Sequence, residues 1–542
     1  MALLDLINTE PTASRRDVIL TVVVSALANT AILATINSAA KKASGDHPSA
    51  LLFAIYAVAI VLYIIGFTYT FRITIKLFEH AIASARMRIA SKIANAELLI
   101  LDQVGKARIY QSLTQDTTVI LEAQGLLVAG AQSSVMIIFT SFYVITLSFP
   151  AFIAIAIAIS VGSFVYISRE KTVMRLMDAS AAEDVRFIGA ADDLVGGLKE
   201  VKLSWARGHA LIADMDGVAA RLRDSRIKMM NLYSQNAVFT QTFFYLLLGV
   251  LTFILPRLLH GFQSSVPSLV ATTLFIIGPL STIVTALPAL SKSNRAATSL
   301  MQLEAEISLV VGGPAPETAP RPARFSRTLG CRGLEFHYPH EDPSAFRVGP
   351  IDLVIPHGEI TMFVGGNGSG KTTLLKLLAG LYPPTAGALT LDEEAVQTSR
   401  LPNYRELFGA IFSDFHLFPK LYGIIAEEDA IDAELERMKI AGKTSYGPDG
   451  FSTLGLSTGQ RKRVAMAVAR LEDRPILIFD EWAAEQDPGF RKYFYEELLP
   501  ELKGKKKTLL IATHDDRYFG AADTVVTMEF GCIQSIKRRP ER

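Results

Sequence analysis

The fold of the C-terminal third follows from one stretch of twenty residues, ITMFVGGNGSGKTTLLKLLA, which runs from Ile360 to Ala379. Its first five residues are apolar and β-prone, which predicts a strand, and its last seven favour a helix. Between them, residues 365–372 match the pattern G-x-x-x-x-G-K-[ST] in full. Glycines let backbone N–H groups converge on phosphate oxygens, and the N-terminus of the following helix adds positive potential. The stretch therefore predicts a strand–loop–helix unit that binds phosphate groups.

The same loop carries the side chains that a nucleoside triphosphate needs. Lys371 supplies a cation for the β- and γ-phosphates, and the Thr372 hydroxyl supplies an oxygen ligand for Mg²⁺. A nucleoside triphosphate and Mg²⁺ are therefore expected here. The residues that we expect to bind this nucleotide, which is ATP by the resemblance described below, are Gly366, Asn367, Gly368, Ser369, Gly370, Lys371, Thr372 and Thr373.

A second chemical site comes later in the chain, where the apolar run Ile476–Phe479 ends in Asp480 and Glu481. A carboxylate at the end of a buried strand suits a magnesium ligand, and its neighbour is placed to polarise an attacking water. The sequence therefore predicts that Asp480 holds the metal and that Glu481 is catalytic.

The composition separates this polar third from the rest. Hydrophobic residues make up 50% of the 542-residue chain and charged residues only 20%, which excludes a disordered protein. The 54 basic and 53 acidic residues leave a net charge of +1, so we expect no nucleic-acid partner. Two cysteines, Cys331 and Cys532, make neither a disulfide framework nor a metal cluster.

Five uncharged runs before residue 292 are long enough to cross a bilayer. Four of them hold 23 to 31 residues, whereas a helix needs roughly 20. The fifth, Ala123–Ser168, holds 46 residues and would be about 69 Å long as one helix. A hydrocarbon core is only about 30 Å thick, so this run must fold back, and Ser148-Phe149-Pro150 offers the break. The predicted spans are residues 18–40, 50–71, 125–147, 150–168, 235–256 and 268–291.

The distribution of Lys and Arg predicts the orientation of these spans. Basic residues gather before span one, between spans two and three, after span four and after span six, while the opposite loops carry few. By the positive-inside rule, both termini are expected to be cytoplasmic. The long connections 72–124 and 169–234 are rich in helix formers, which predicts helices that continue past the bilayer towards a cytoplasmic domain.

Polar side chains inside the spans have two interpretations. They form hydrogen bonds between helices, or they line a cargo cavity together with aromatic residues such as Tyr63. Gly278-Pro279 predicts a kink in span six. The polar residues in question are Asn29, Asn37, Gln132, Asn236 and Gln241.

Between the two chemical sites, the sequence reads LSTGQRKRVAMAVAR from Leu456 to Arg470. It resembles the signature sequence of the ATP-binding cassette (ABC) superfamily, with Thr458 where a glycine is commonest. By this resemblance, Tyr338 stacks on adenine, Asp487 is the D-loop aspartate, and His514 is a catalytic switch residue near the γ-phosphate.

The resemblance also implies a dimer, because in this superfamily each ATP lies between the glycine loop of one cassette and the signature of the other. Six spans and one cassette correspond to a half-exporter, so we expect a second, identical copy as the partner. Residues near 109–116 and 204–209 match the segments that dock on the cassettes. The signature residues expected to act on the partner's ATP are Ser457, Thr458, Gly459 and Gln460.

One position departs from the superfamily pattern. The segment that usually carries a glutamine near the metal and the attacking water reads IFSDFHLF from Ile411 to Phe418. Ser413 stands in place of that glutamine, and the adjacent Asp414 could coordinate the metal instead.

This segment, together with DEWAAEQDP at 480–488 and THDDRYF at 513–519, resembles the bacterial exporters of cyclic peptides and siderophore peptides, of the syringomycin and pyoverdine-precursor type. The implied function is ATP-driven export of a peptide-like secondary metabolite across the bacterial inner membrane by alternating access. A lipid or glycolipid flippase and a siderophore importer of the same architecture are the alternatives. A non-transporting regulatory subunit is disfavoured by the intact Lys371 and Glu481.

The expected fold class is a six-helix, all-α transmembrane domain of the ABC exporter type fused to a cytoplasmic α/β nucleotide-binding domain. The expected boundaries are residues 1–310 for the transmembrane domain, 311–329 for a Pro- and Gly-rich linker, and 330–542 for the ATP-binding domain. Membrane lipid surrounds the first of these domains.

Overall fold

The structure, a computed structural model, describes residues 2–8, 15–42, 50–258, 266–308, 320–338 and 346–539. The chain divides into two compact units. The helical unit comprises Met1–Met87 and Tyr110–Gln302, and the α/β unit comprises Arg88–Ile109 and Leu303–Arg542. Residues 311–319 of the expected linker lie outside the described residues.

Helices account for the N-terminal half of the described chain. They are α1 Ala2–Asn8, α2 Arg15–Lys42, α3 Ala50–Asn95, α4 Leu98–Val104, α5 Lys106–Gln111, α6 Thr117–Leu147, α7 Phe149–Gly196, α8 Leu198–Leu203, α9 Trp205–Gly249, α10 Leu255–Leu258 and α11 Val266–Ser308. Among the described residues, five stretches are long and apolar enough to cross a membrane: Arg16–Lys41, Ala50–Asn95, Lys106–Leu147, Trp205–Ile254 and Val266–Ser308. The expected fourth span corresponds to the shorter apolar segment Phe149–Gly162, at the start of α7.

The turn between α6 and α7 is a single residue, which confirms the break expected in the 46-residue uncharged run. Ser148 has extended backbone angles (φ −168°, ψ 116°), and its N–H donates to the Val144 carbonyl at 2.9 Å. Its hydroxyl accepts from the Ala151 N–H at 3.4 Å and so caps α7. Pro150 lies in the first turn of α7, where a missing N–H costs nothing.

Close helix approach at small residues organises the helical unit. A Cβ atom added to Gly130 of α6 would lie 2.6 Å from the Cβ of Ala286 of α11. The Asn37 amide of α2 donates to the Thr272 hydroxyl of α11 at 3.2 Å and to the Tyr143 hydroxyl of α6 at 3.2 Å. For Asn37, the first interpretation of the polar residues, hydrogen bonding between helices, therefore holds.

The α/β unit contains a mixed six-stranded sheet in the order β12-β11-β3-β10-β9-β6, and an antiparallel four-stranded sheet in the order β2-β1-β4-β5. A two-stranded pair, β7-β8, completes the described strands. They are β1 Thr328–His337, β2 Arg347–Pro356, β3 Ile360–Val364, β4 Ala386–Leu391, β5 Glu394–Ala395, β6 Phe408–Ile411, β7 Tyr446–Gly447, β8 Gly450–Phe451, β9 Ile476–Asp480, β10 Thr508–Ala512, β11 Thr524–Glu529 and β12 Cys532–Arg538.

Strands β3, β9 and β10 are buried at every position, as expected of parallel strands that are covered on both faces. The helices around the sheets are α12 Lys371–Leu378, α13 Leu401–Arg405, α14 Glu428–Arg437, α15 Thr458–Glu472, α16 Pro488–Tyr493 and α17 Leu499–Gly504. The strand and the helix predicted on either side of the glycine loop are therefore present as β3 and α12. Because β3, β10 and β9 are parallel neighbours, the residues that follow them meet at one edge of the sheet.

The close contact at Gly130 predicts a loss of stability on adding one methyl group. In Gly130→Ala, α6 and α11 must move apart, so we expect the free energy of unfolding to fall by about 1–3 kcal/mol. Gly249→Ala is the control, because a Cβ at that position meets no atom within 4 Å. Thermal unfolding of the detergent-purified protein measures both variants, and equal melting temperatures would contradict the prediction.

Candidate functional site

The glycine-rich loop turns between β3 and α12 through backbone conformations that only glycine adopts without strain. Gly365, Gly368 and Gly370 have φ values of 157°, 77° and 98°. A Cβ on Gly365 would lie 2.3 Å from the Met528 carbonyl oxygen, so this position excludes any side chain. The loop therefore requires glycine at these positions to make its turn directly before the N-terminus of α12.

Two side chains of the loop carry unusual buried groups. Lys371 is 6% exposed, and its ammonium donates to the carbonyls of Gly365 at 2.9 Å and Gly366 at 3.0 Å. The Ser369 hydroxyl is buried and has no hydrogen-bond partner in the described part of the chain. A buried hydroxyl without a partner is costly, and a bound phosphate oxygen would satisfy it. The loop residues thus fit a phosphate group.

Asp480 lies at the end of β9 with no exposed surface. The Thr372 hydroxyl is within hydrogen-bond distance of both carboxylate oxygens, at 3.1 and 2.9 Å, and the Ser413 N–H donates at 3.4 Å. Burial raises the pKa of Asp480, and the hydrogen bonds from Thr372 and Ser413 partly offset the shift. The predicted metal residues Thr372, Asp480 and Ser413 therefore meet, whereas Asp414 is exposed and makes no hydrogen bond among the described residues.

This set of oxygen ligands fits Mg²⁺ better than a transition metal. The described residues contain no group of three or more His, Cys, Asp or Glu side chains that could hold a metal alone. Mg²⁺ is usually bound by one or two protein oxygens, with substrate phosphates and water completing the shell. Thr372 and Asp480 are such a pair, beside a loop that fits phosphate.

Glu481 has a left-handed backbone conformation (φ 50°, ψ 33°), which is strained for a residue with a side chain. Hydrogen bonds to its backbone hold it there, including one at 3.4 Å from the Ala484 N–H to its carbonyl. Its N–H donates to the Ala512 carbonyl at 3.0 Å, and its carbonyl accepts from the ammonium of Lys462, which is 3% exposed, at 2.9 Å. The buried Trp482 indole N–H donates to the Lys462 carbonyl at 2.9 Å. Our sequence reasoning missed Lys462 and Trp482, although a tryptophan directly after two carboxylates is a signal that could have been noticed.

The signature segment forms the exposed N-terminus of α15. Ser457 and Gln460 cap each other: the Gln460 N–H donates to the Ser457 hydroxyl at 3.4 Å, and the Ser457 N–H donates to the Gln460 side chain at 3.1 Å. A Cβ on Gly459 would lie 2.7 Å from the Glu485 carbonyl oxygen. In the described structure, no hydrogen bond joins the signature residues 457–460 to the glycine-loop residues 365–373. Hydrogen bonds within one chain therefore do not bring these two predicted ATP-binding segments together.

The remaining predicted residues lie around the same edge of the sheet. Tyr338 is half-buried, and its hydroxyl is 3.0 Å from the Thr373 hydroxyl. His514 is exposed and follows β10. Strand β10 is the parallel neighbour of β9, which Glu481 follows. Asp487 caps α16 by accepting from the Phe490 N–H at 2.9 Å and pairs with Arg463 at 2.5 Å, and both interactions lower its pKa.

A short segment from the N-terminal half of the chain packs against the α/β core. Leu98 and Leu99 of α4 contact the buried cluster around Phe336 and Tyr382. The Tyr382 hydroxyl donates to the Asp102 carboxylate at 2.9 Å, and Glu97 pairs with Arg405 at 2.5 Å. Residues 97–102 therefore make these contacts. Docking of residues near 109–116 and 204–209 on the cassettes stays a prediction.

Tyr382 also connects α4 with the residue predicted to stack on adenine. Its ring is stacked on Phe336, with centroids 5.3 Å apart at 17°, and lies edge-on to Tyr338 at 6.1 Å. Burial and the neighbouring Asp102 carboxylate raise the pKa of Tyr382, so the hydroxyl keeps its proton and remains a donor.

Two comparisons with known proteins decide the family. Residues 348–484 match the family model described as ABC transporter. The chain is 35% identical to the "ATP-binding protein SyrD" of Pseudomonas syringae pv. syringae over 545 aligned residues, which cover 95% of this chain and 93% of that protein. This chain belongs to the ABC transporter family. It is accordingly an ATP-binding protein whose ATP hydrolysis is coupled to transport.

A solved structure gives the architecture of this transporter. The "Structure of a bacterial Atm1-family ABC exporter with ATP bound" superimposes with a TM-score of 0.77 at 16% identity and covers 98% of this chain and 96% of that one. The expected fold class, a helical membrane domain fused to an ABC domain, is therefore confirmed. An "ATP-dependent lipid A-core flippase" of Burkholderia thailandensis is 25% identical over 76% of this chain and 70% of that protein.

The contact between Lys462 and Glu481 predicts a defect in hydrolysis without a defect in ATP binding. In Lys462→Met the buried stem is retained but the donor to the Glu481 carbonyl is lost, so the strained conformation is populated less. We expect kcat for ATP hydrolysis to fall by about tenfold, because a buried hydrogen bond from a charged group contributes roughly 1.5–3 kcal/mol. KM for ATP should stay within about twofold.

The control is Lys492→Met, whose exposed ammonium contacts only Glu496, at 3.7 Å, in the described structure. Full ATPase activity of Lys462→Met in lipid nanodiscs would show that Lys462 does not position Glu481.

The bond between Tyr382 and Asp102 predicts that one hydroxyl holds α4 against the α/β core. Tyr382→Phe leaves the ring stack in place and removes a bond to a charged group, which contributes about 1.5 kcal/mol. We expect amide hydrogen exchange in residues 98–104 to become about tenfold faster. Tyr422→Phe, at a 66% exposed tyrosine, is the matched control. Unchanged exchange in Tyr382→Phe would contradict this role.

Proposed function

We propose that this ABC exporter transports a peptide or a peptide-like secondary metabolite, such as a cyclic peptide or a siderophore precursor, out of the bacterial cytoplasm. The observation that carries the proposal is the 35% identity to SyrD over 95% of the chain, which includes the helical half. The motifs at 411–418, 480–488 and 513–519, which resemble those of peptide exporters, support the same cargo class.

We assign the chemistry of hydrolysis to the residues at the edge of the sheet. The loop residues 366–373 hold the phosphates, with Lys371 as the cation, and Tyr338 stacks on the adenine. Thr372 and Asp480 hold Mg²⁺, which supplies charge neutralisation at the β- and γ-phosphates when bound. Glu481 accepts a proton from the attacking water, and His514 contacts the γ-phosphate. The desolvated Asp480 carboxylate supports this assignment, because a cation relieves its burial.

The partner is proposed to be a second copy of the same chain. Each chain has one glycine loop and one signature segment, and the described structure shows no hydrogen bond between them. Exposed Ser457 and Thr458 at the N-terminus of α15 are available to a phosphate of the partner's ATP. In this arrangement two ATP molecules close the cassette dimer, the extended helices open the cargo cavity outward, and hydrolysis resets it.

The proposed location is the bacterial inner membrane, with both termini in the cytoplasm. The excess of Lys and Arg in the connections 72–124 and 169–234 supports this orientation. The domain boundaries that follow are residues 1–310 in and near the membrane, a linker at 311–329, and the ATP-binding domain at 330–542.

The test is ATPase activity in lipid nanodiscs, with wild type beside Glu481→Gln, in the presence of cyclic peptides, siderophores or lipids. We expect peptides to stimulate the wild-type rate, and the substitution to lower that rate at least about a hundredfold, because it removes the base. Glu436→Gln, at an exposed carboxylate of α14 whose side chain makes no hydrogen bond or ion pair among the described residues, is the control.

Similarity to lipid A-core flippases makes a lipid flippase the second candidate function. Stimulation by lipids alone would favour it and would contradict peptide export. A wild-type rate no higher than that of Glu481→Gln would contradict the homodimeric motor and point to a different partner chain.

A further inference from the structure

A partly open cavity of about 330 Å³ lies among α2, α3, α6 and α11 of the helical unit. This volume is within the range of small-ligand sites. A water molecule occupies about 30 Å³ in the liquid, so the cavity has room for about ten water-sized groups, or one or two residues of a peptide. The lining residues that matter here are Asn29, Tyr63, Gln132, Ser133, Gly278 and Thr282.

Several polar groups at this cavity have hydrogen-bonding capacity that the protein does not use. The Gln132 amide donates to the Ser25 hydroxyl at 2.5 Å, and the Asn29 amide donates to the Met136 sulfur at 3.0 Å. Within the described residues, no hydrogen bond reaches the amide oxygen of either residue. The hydroxyls of Tyr63 and Ser133 make none there either. Asn29, Tyr63 and Ser133 are half-buried, so the cavity offers both donors and acceptors to a ligand.

The backbone of α11 adds an acceptor at the same place. Pro279 has no N–H, so the carbonyl of Phe275, one turn earlier, lacks the hydrogen bond that an uninterrupted helix would supply. A Cβ built on Gly278 meets no atom within 4 Å. Gly278, where a kink is expected, therefore faces the space of the cavity rather than a packed neighbour. Irregular backbone in a membrane helix is tolerated where it lines such a cavity.

None of the described residues that line the cavity carries a charge. An ion in a low-dielectric cavity without a counter-charge is strongly disfavoured, whereas an uncharged amide can use both the donors and the acceptors. The rings of Tyr63, Phe67 and Phe275 supply apolar surface beside them. The cavity therefore suits a neutral amide with an apolar neighbour and disfavours a phosphate headgroup.

We propose that this cavity binds an uncharged, amide-bearing segment of the cargo. The inference rests on the proposed peptide export and adds the site and the chemical class of the segment. The two claims are separable, because binding does not require hydrolysis.

The experiment measures equilibrium binding to Glu481→Gln protein in lipid nanodiscs. The probe is a tritiated, uncharged cyclic hexapeptide with one asparagine and one phenylalanine side chain. Two matched peptides carry aspartate or lysine in place of the asparagine. We expect the neutral peptide to bind at least about tenfold more tightly than either charged one, and a phosphorylated glycolipid not to displace it.

Gly278→Leu fills the cavity from a position with free space around its Cβ and should weaken binding of the neutral peptide about tenfold. Gly249→Leu is the matched control, because its Cβ also meets no atom within 4 Å and it lies outside the cavity lining. Asn29→Asp should raise the affinity for the lysine peptide about tenfold by supplying a counter-charge.

If Gly278→Leu does not fold, as judged by thermal unfolding, Tyr63→Phe replaces it. That variant removes only the hydroxyl, and we expect about three- to tenfold weaker binding. Tyr69→Phe, at a 48% exposed tyrosine of the same helix, is its control.

Four results would overturn the site: no binding of the neutral peptide, equal binding of the charged peptides, displacement by the glycolipid, or equal loss in the cavity and control variants. ATP-driven uptake of the same peptide into inverted proteoliposomes separates the two claims. Uptake that Gly278→Leu leaves intact would remove the site but keep peptide export. Binding with the expected profile but without ATP-driven uptake would remove peptide export but keep the site.

Discussion

The ATP site depends on one electrostatic constraint, the burial of the Asp480 carboxylate at the end of β9. Taking a carboxylate out of water is expensive and raises its pKa, so the group must be compensated by donors or by a cation. The Thr372 hydroxyl, at the start of the helix after the glycine loop, donates to it. The N–H of Ser413, which follows strand β6, donates to it as well. Three segments that are far apart in sequence thereby meet at the Asp480 carboxylate, beside a loop that fits phosphate.

Glu481, the residue after Asp480, is positioned by hydrogen bonds to its backbone instead of its side chain. Glu481 is held by its backbone rather than by its carboxylate, since its N–H and its carbonyl are both bonded while the chain adopts a left-handed turn. Lys462 supplies one of these bonds from α15, the helix that begins with the signature residues. One buried ammonium group therefore joins the helix that begins with the segment proposed to act on the partner's ATP to the backbone of the residue proposed to act on the chain's own ATP.

The two units satisfy polar groups in different ways, as their surroundings require. The α/β unit contains a buried charge that is paired with two others: Arg470 is bonded to Glu434 and Glu501. In the helical unit, buried polar contacts between spans join uncharged side chains, such as Asn37 with Thr272, because an ion pair in hydrocarbon is far costlier to form. The cavity around Asn29 follows the same rule, which is why its chemistry favours a neutral segment of the cargo.

The amino-acid sequence by itself determined the features that depend on short spacing. The glycine loop, the strand before it, the acidic pair after β9 and the turn at Ser148 are each defined by a few adjacent residues whose backbone and hydration chemistry allow little choice. Only the tertiary structure decided which distant groups meet: Lys462 with Glu481, Ser413 rather than Asp414 with Asp480, and Asp102 with Tyr382. These contacts depend on strand order and helix packing, so a local pattern does not specify them.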